Sequence, residues 1–280
     1  MKTPYTLITG ASEGIGKAMA RECASRNMNL LLVALPNPSL QATVDEIKND
    51  FPGIAVHALG IDLTEDEAAQ EIFDWTQEQG FQVNMLLNNA GMGRHGYYEH
   101  VPLQDYLMML QLNILISVKL IHFFLPQMKA AGKGYILGMS SSEGLLSMPR
   151  KSVYSASKRF VFNFYQALYL ELKPFGIKVS VVLPGPVPTN AATRRRIETQ
   201  GRRARFILRS AEEVASQAID QLLKGRSIIV PGRFLRVVLT LVPLVPHRLK
   251  MYLTAKISNG YKEEVEEPQD PEPVAVSSAK

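Results

Sequence analysis

A chain of 280 residues makes one large domain or two small ones, and at 46% hydrophobic and 20% charged it carries enough apolar material for a sizeable core, which excludes wholesale disorder. The single cysteine, Cys23, excludes an internal disulfide framework, and no Cys/His cluster has zinc spacing, so no metal is expected. The net charge of +5 is unevenly spread: Arg194 to Lys262 holds 15 Lys/Arg against Glu198, Glu212, Glu213 and Asp220, so the remainder is net acidic.

The run Tyr5–Thr9 opens the chain as a strand too short for a signal peptide, which points to a reducing, cytoplasmic setting. Further strands are expected at Asn29–Val33, Ile54–Leu59, Val83–Asn88, Gly134–Met139, Lys178–Leu183 and Ser227–Val230. Helices are expected between them at Gly14–Arg26, Pro38–Asn49, Glu65–Gln79, Pro102–Lys129, Ser152–Pro174 and Ala211–Lys224. Strands apolar on both faces, separated by helix-length crossovers, imply an α/β fold: one doubly wound parallel sheet of about seven strands with helices on both faces. Residues 1–231 read as one domain without linkers or internal repeats, with 189–210 as a lid within it.

Two stretches stand outside the alternation. Residues 232–261 are apolar and basic, interrupted by Pro243 and Pro246, and too broken to supply the roughly 20 apolar residues that span a bilayer. Residues 262–280 hold Glu263, Glu264, Glu266, Glu267, Asp270 and Glu272 with three prolines, the composition of a disordered acidic tail.

Gly10, Ser12, Gly14, Ile15 and Gly16 lie in a loop that follows the first strand and opens the first helix. Glycines there permit a tight turn and close approach of backbone to a pyrophosphate at a helix N-terminus. The spacing is Gly-x-x-x-Gly-x-Gly. Asp62-Leu63, Asn88-Asn89-Ala90-Gly91, Asn113, Ser141, Tyr154-Ser155-Ala156-Ser157-Lys158 and Pro184-Gly185-Pro186-Val187-Pro188-Thr189 follow it in order. Over residues 5–231 this series resembles the short-chain dehydrogenase/reductase family, whose Rossmann-like fold binds a nicotinamide dinucleotide.

Tyr154 and Lys158 are four apart in a helical segment, so their heads can converge. A phenol with an ordinary pKa near 10 is a poor acid at neutral pH, and a neighbouring ammonium lowers it towards the working range. Taken alone, such a pair is most often a buried Tyr beside an exposed Lys. Ser141 stands 13 residues before Tyr154 at a strand end, where its hydroxyl can polarise a carbonyl; Ser140 and Ser142 are its rivals, and strand alternation turns them away. The resemblance maps the family's serine to Ser141 and its water-holding asparagine to Asn113. Lys158 then also bonds the nicotinamide ribose, with Tyr154 beside it. Asn89 braces the central strands, Gly91 lets the chain pass close to the cofactor, Pro184, Gly185 and Val187 shape the turn, and Thr189 bonds the carboxamide. Asp62 matches a residue beside the adenine, with capping of a helix from Glu65 as the other reading.

The second strand ends Val33-Ala34-Leu35-Pro36-Asn37 without the acid that an NAD site uses for its ribose diol, and also without the arginine usual for NADP. The missing acid is the stronger signal and favours NADP, with NAD as the alternative; Asn37 or Ser39 are candidates for the 2′-phosphate. Glu143 departs from the family's alanine two residues after the serine.

The activity expected is interconversion of a ketone and a secondary alcohol by hydride transfer. The small substrate is expected to be hydrophobic: a long-chain acyl, sphingoid-like or sterol-like ketone. The alternative is a non-catalytic dinucleotide-binding regulator. The basic lid and the segment 233–257 suit peripheral contact at the inner membrane surface, packing on a second subunit, or a roof over the active site. By resemblance, Pro102–Lys129 and Ser152–Pro174 offer a homo-oligomer interface. Nucleic acid is not an expected partner, since Phe206 alone is interleaved with the arginines.

Overall fold

The computed structural model describes residues 4–188 and 208–259. Seven strands form one parallel sheet: β1 (Pro4–Thr9), β2 (Asn29–Ala34), β3 (Val56–Gly60), β4 (Gln82–Asn88), β5 (Gly134–Met139), β6 (Ile177–Val182) and β7 (Ile228–Ile229), in the order 3-2-1-4-5-6-7. Registers such as Leu7 against Leu31 and Ile136 against Val179 align apolar side chains across the sheet.

Strand alternation fills two cores. On one face Leu7, Leu31, Leu86 and Ile136 meet Ile72 of α3 (Ala68–Glu78), Leu120 and Phe124 of α5 (Ile116–Ala130) and Tyr165 of α6 (Ser152–Leu172). On the other, Ile8, Leu32, Leu87 and Leu137 meet Met19 of α1 (Gly14–Ser25), Ile47 of α2 (Pro38–Asp50) and Ile219 of α7 (Ala211–Leu223). Each fully buried Leu or Ile contributes about 1.5–3 kcal/mol, so both faces must be covered. The capping box of Ser210 with Glu213 starts α7 at its predicted residue.

The long helix expected at Pro102–Lys129 is interrupted. It comprises α4 (Leu103–Leu110), a π-helical turn at Gln111–Leu115, and α5. Periodicity cannot register a single wide turn inside an otherwise regular apolar run. The 28-residue stretch Leu103–Ala130 is long and apolar enough to cross a membrane, but it buries Ile116, Leu120, Phe124 and Met128 in the sheet's core. Two smaller differences lie around β3. That strand begins at Val56 because residues 52–54 form a turn, and α3 begins at Ala68 because residues 63–67 are turns.

Beyond β7 the apolar, basic segment folds as α8 (Arg233–Leu241) and α9 (His247–Asn259). The lid core, Thr189 and the acidic tail lie outside the described residues. The topology matters for the site because strand order reverses between β1 and β4, opening a crevice at their carboxyl ends.

Candidate active site

The first wall of this crevice is the glycine loop. Gly16 tolerates no side chain, since a Cβ there would stand 1.9 Å from the Gly10 oxygen. The first turn of α1 is thereby drawn onto the loop. Glu13 takes the N-cap position without a side-chain bond, and no acid lies in the first turn, so the helix end keeps its N–H groups for an anion. Thr43 Oγ1 donates to the Ser12 oxygen at 3.1 Å, and Ile15 packs into the second core, fixing the loop from behind. Asn89 Nδ2 donates to the Thr9 and Gly10 oxygens at 3.0 and 3.2 Å, while Thr9 Oγ1 accepts from the Asn89 and Ala90 amides. Asn89 thus holds β4 to the glycine loop.

Further along this wall, Asp62 Oδ1 accepts from the Thr64 amide and hydroxyl at 2.9 and 2.8 Å. This is a local turn, and with α3 starting at Ala68 the helix-capping reading falls. Leu35 is half exposed, and Asn37 Oδ1 caps α2 by accepting from the Leu40 amide. The Asn37 amide hydrogens remain for a phosphate, and Ser39, the other candidate, is exposed beside it.

The second wall carries the polar constellation. Lys158 is 5% exposed, and its Nζ donates to the Met139 oxygen at 3.0 Å and lies 5.9 Å from the centre of the Tyr154 ring. Burial lowers its ammonium pKa from 10.5 to about 8, so it remains largely charged at neutral pH. Gly91 leaves no room for a side chain, because a Cβ would stand 2.8 Å from Asn113 Oδ1 and 3.0 Å from Lys158 Nζ. Gly93 sits against the Tyr154 ring in the same way, at 3.3 Å.

Asn113 occupies the π turn. Its Oδ1 accepts from the Met92 amide, and its Nδ2 donates to the Met92 oxygen and to Ser157 Oγ. Both amide hydrogens are used, which leaves one oxygen lone pair as the side chain's remaining capacity.

Ser141 ends the strand side of the site. Its Oγ accepts from the Glu143 amide at 3.1 Å, leaving its own proton for a carbonyl oxygen. Ser140 points the other way and donates to the Lys158 oxygen at 2.7 Å. Ser142 begins a short 3-10 turn and donates its amide to the Pro184 oxygen, which ties the serine loop to the segment after β6. Pro184 and Val187 are buried there, with Gly185 half-buried between them.

Sequence reasoning missed several contacts. Met92 lies in no motif, and Ser157, inside the Tyr154–Lys158 run, carries no assigned role. The ion pair of Glu143 with Lys151, at 2.8 Å, joins the serine loop to the start of α6; the signal was the acid in place of alanine, with a lysine three residues before Tyr154.

Comparison with known proteins agrees with this geometry. Residues 4–200 match the short chain dehydrogenase family. A very-long-chain 3-oxoacyl-CoA reductase from Rattus norvegicus is 34% identical over 196 residues, 69% of this chain and 62% of that protein. The match therefore spans less than two thirds of that relative's length. An 11-beta-hydroxysteroid dehydrogenase-like protein, 4A, from Arabidopsis thaliana is 30% identical over 246 residues, 87% of this chain and 81% of the relative. A short-chain dehydrogenase from Sphingobium yanoikuyae, solved in complex with NADPH, superposes with a TM-score of 0.75 at 27% identity, covering 95% of this chain and 99% of that one. A nicotinamide dinucleotide is the cofactor typical of such proteins, and with its glycine loop, π-turn asparagine, strand-end serine and paired tyrosine and lysine in one crevice, this chain belongs to the short-chain dehydrogenase/reductase family.

Proposed function

We propose that this protein reduces a hydrophobic ketone, of the long-chain 3-oxoacyl, sphingoid or steroid kind, to a secondary alcohol with NADPH. The observation that carries the reading is the buried Lys158 ammonium beside the Tyr154 ring, with Ser141 at the end of the adjoining strand. The two curated relatives, with names that refer to acyl and steroid substrates, support the substrate class. The NADPH-bound relative and the missing acid after β2 support the cofactor.

The residues present fit a dinucleotide. The Gly10–Gly16 approach, which a Cβ would block, draws the loop onto the first turn of α1, and the uncapped N-terminus of that helix would hold the pyrophosphate. Asp62 would lie towards the adenine, Asn89 and Gly91 along the middle, and Lys158 at the nicotinamide ribose. When bound, the nicotinamide supplies the hydride that reduces the carbonyl carbon.

The chain's own residues manage the oxygen. Ser141 donates its hydroxyl proton in a hydrogen bond and polarises the carbonyl. Tyr154 transfers its phenolic proton to that oxygen as negative charge develops there, and Lys158 stabilises the resulting phenolate. Solvent then restores the proton to Tyr154.

The test is NADPH consumption with 3-oxo thioesters of rising chain length, steroid ketones and small polar ketones, repeated with NADH. An optimum among long chains with preference for NADPH is expected; preference for small polar ketones would overturn the substrate class. Tight NADPH binding without turnover on any ketone would favour the regulatory alternative.

A further inference from the structure

The two C-terminal helices leave a broad apolar surface facing outward. In α8, Leu235 and Leu239 are buried, yet Phe234, Val237, Val238 and Leu241 are exposed, with Val237 at 60%. Those four fall at i, i+3, i+4 and i+7, which places them on a single helical face. Leu244, in the turn that follows, is 78% exposed.

In α9 the outward bias is complete among the described side chains. Its buried residues are Thr254 and Ser258, whereas Leu249, Met251, Tyr252 and Leu253 face out. Leu249, Tyr252 and Leu253 share a face on which Lys256 falls one turn further along. The buried side is held polar: Ser258 Oγ donates to the Pro149 oxygen, which fixes α9 to the loop leading from Ser141 to Tyr154.

Charge decides what covers this surface. Residues 233–259 contain Arg233, Arg236, Arg248, Lys250 and Lys256, and no acid stands between Asp220 and Glu263. A two-fold interface through these faces would set the cations of one copy against those of the other, with no acid within residues 221–262 to offset them. A sheet of anionic headgroups satisfies them, while the exposed Phe, Val, Leu and Tyr side chains enter the acyl boundary beneath. Helices of 9 and 13 residues fall short of the roughly 20 needed to cross.

We propose that the outer face of α8 and α9 docks on the surface of an anionic lipid bilayer, lying in the interface without crossing it and setting the mouth of the crevice against the lipid. Docking goes beyond the enzymatic reading and does not depend on turnover.

The experiment is flotation of the full chain with phosphatidylcholine vesicles, pure or containing about one third phosphatidylglycerol, at low and high salt. Co-flotation with the anionic vesicles alone, released by salt, is expected. Val237→Glu with Leu241→Glu should weaken it on the order of tenfold or more, and Arg233→Gln with Arg248→Gln by about tenfold. Circular dichroism and melting of both pairs should match the parent, because all four side chains are exposed. No flotation with anionic vesicles, or equal flotation of the Val237→Glu/Leu241→Glu pair, would overturn the proposal. So would conversion of a dimer to a monomer by that pair with flotation unchanged, which would show that a second copy covers the face. Since flotation requires no substrate, its failure would leave the ketone reductase reading standing.

Discussion

Asn113 and Met92 exchange two hydrogen bonds: the Met92 amide donates to Asn113 Oδ1 at 2.9 Å, and Asn113 Nδ2 donates to the Met92 oxygen at 3.0 Å. A side-chain amide is here paired with main chain as a strand neighbour would be. The pairing clamps the segment after β4 onto the π turn, next to Lys158 Nζ. Asn113→Leu keeps the volume but leaves the Met92 amide and oxygen without these partners, at a cost of about 1–3 kcal/mol. Because the segment so released also packs Gly93 on the Tyr154 ring, kcat should fall by on the order of a hundredfold with NADPH binding less affected. Melting curves and steady-state kinetics on one preparation check both; a stable variant with parental kcat would deny the clamp a part in the reaction.

Tyr154 supplies the proton in the proposed reduction, so Tyr154→Phe should abolish turnover while NADPH still binds, as read by nucleotide fluorescence. The parent enzyme's pH profile follows from its neighbour. The Lys158 ammonium is released near pH 8 because burial disfavours its charge. Above that pH the phenol loses this cation, so kcat/KM for ketone reduction should decline as pH rises through about 8. Activity level to pH 10 would place the ammonium's release at its ordinary value and contradict this.

The same lysine affects folding. Its pKa is near 8 folded and 10.5 unfolded, so between those values the unfolded chain binds more protons and stability rises with pH. Below about pH 8 the buried charge imposes its full penalty, on the order of 3 kcal/mol. Lys158→Met, inactive by design, should therefore be more stable than the parent at pH 7, with the gap closing towards pH 10.5. Urea denaturation at the two pH values measures this, and a gap that widened with pH would refute it.

The sheet was legible because its strands are apolar on both faces: Leu30 to Val33 are all buried, and no amphipathic helix reads that way. The glycine loop, Ser141, Tyr154 and Lys158 were legible as a series of motifs in the order of a known family; taken alone, the Tyr154–Lys158 spacing reads as an ordinary helical pair and a glycine triplet as an ordinary turn. Asn113 was legible as a polar residue among apolar ones, but its π turn was not, since one widened turn leaves the surrounding periodicity intact. Contacts between segments distant in sequence, such as Asn113 with Ser157, follow from how the π turn packs against α6 and have no local signature. In α8 and α9 the apolar pattern was visible but not its direction, because an exposed stripe and a buried one are written in the same residues.

Glu143 links the serine loop to the start of the tyrosine's helix. Its carboxylate takes Lys151 Nζ at 2.8 and 3.1 Å, with both side chains mostly buried, 23% and 13% exposed. Glu143→Ala leaves Lys151 partly buried without this acid and frees the turn that positions Ser141. A fall of about tenfold in kcat with little change in NADPH affinity is expected, and a double-mutant cycle with Lys151→Met should give a coupling of about 1 kcal/mol. Additive effects would mean that the pair holds nothing in place.

Beneath the crevice, Gly138 of β5 meets the fully buried ring of Tyr165, where a Cβ would come within 2.3 Å of ring carbon. The ring cannot retreat easily, since its hydroxyl is held by Asn88 Nδ2 at 2.9 Å and Ser117 Oγ at 2.7 Å. Gly138→Ala should cost about 3 kcal/mol or more by overpacking the central strand. Tyr165→Phe keeps the ring and so should not relieve that clash; its own cost is about 1–3 kcal/mol, because Asn88 Nδ2 loses its acceptor in a buried site. Tyr165→Leu removes the ring, and in combination with Gly138→Ala it should cost less than the two changes measured separately. Chemical denaturation of this series distinguishes a steric cause from a loss of strand propensity. If Gly138→Ala proved equally damaging with and without the ring, the glycine would be required by the strand and not by Tyr165.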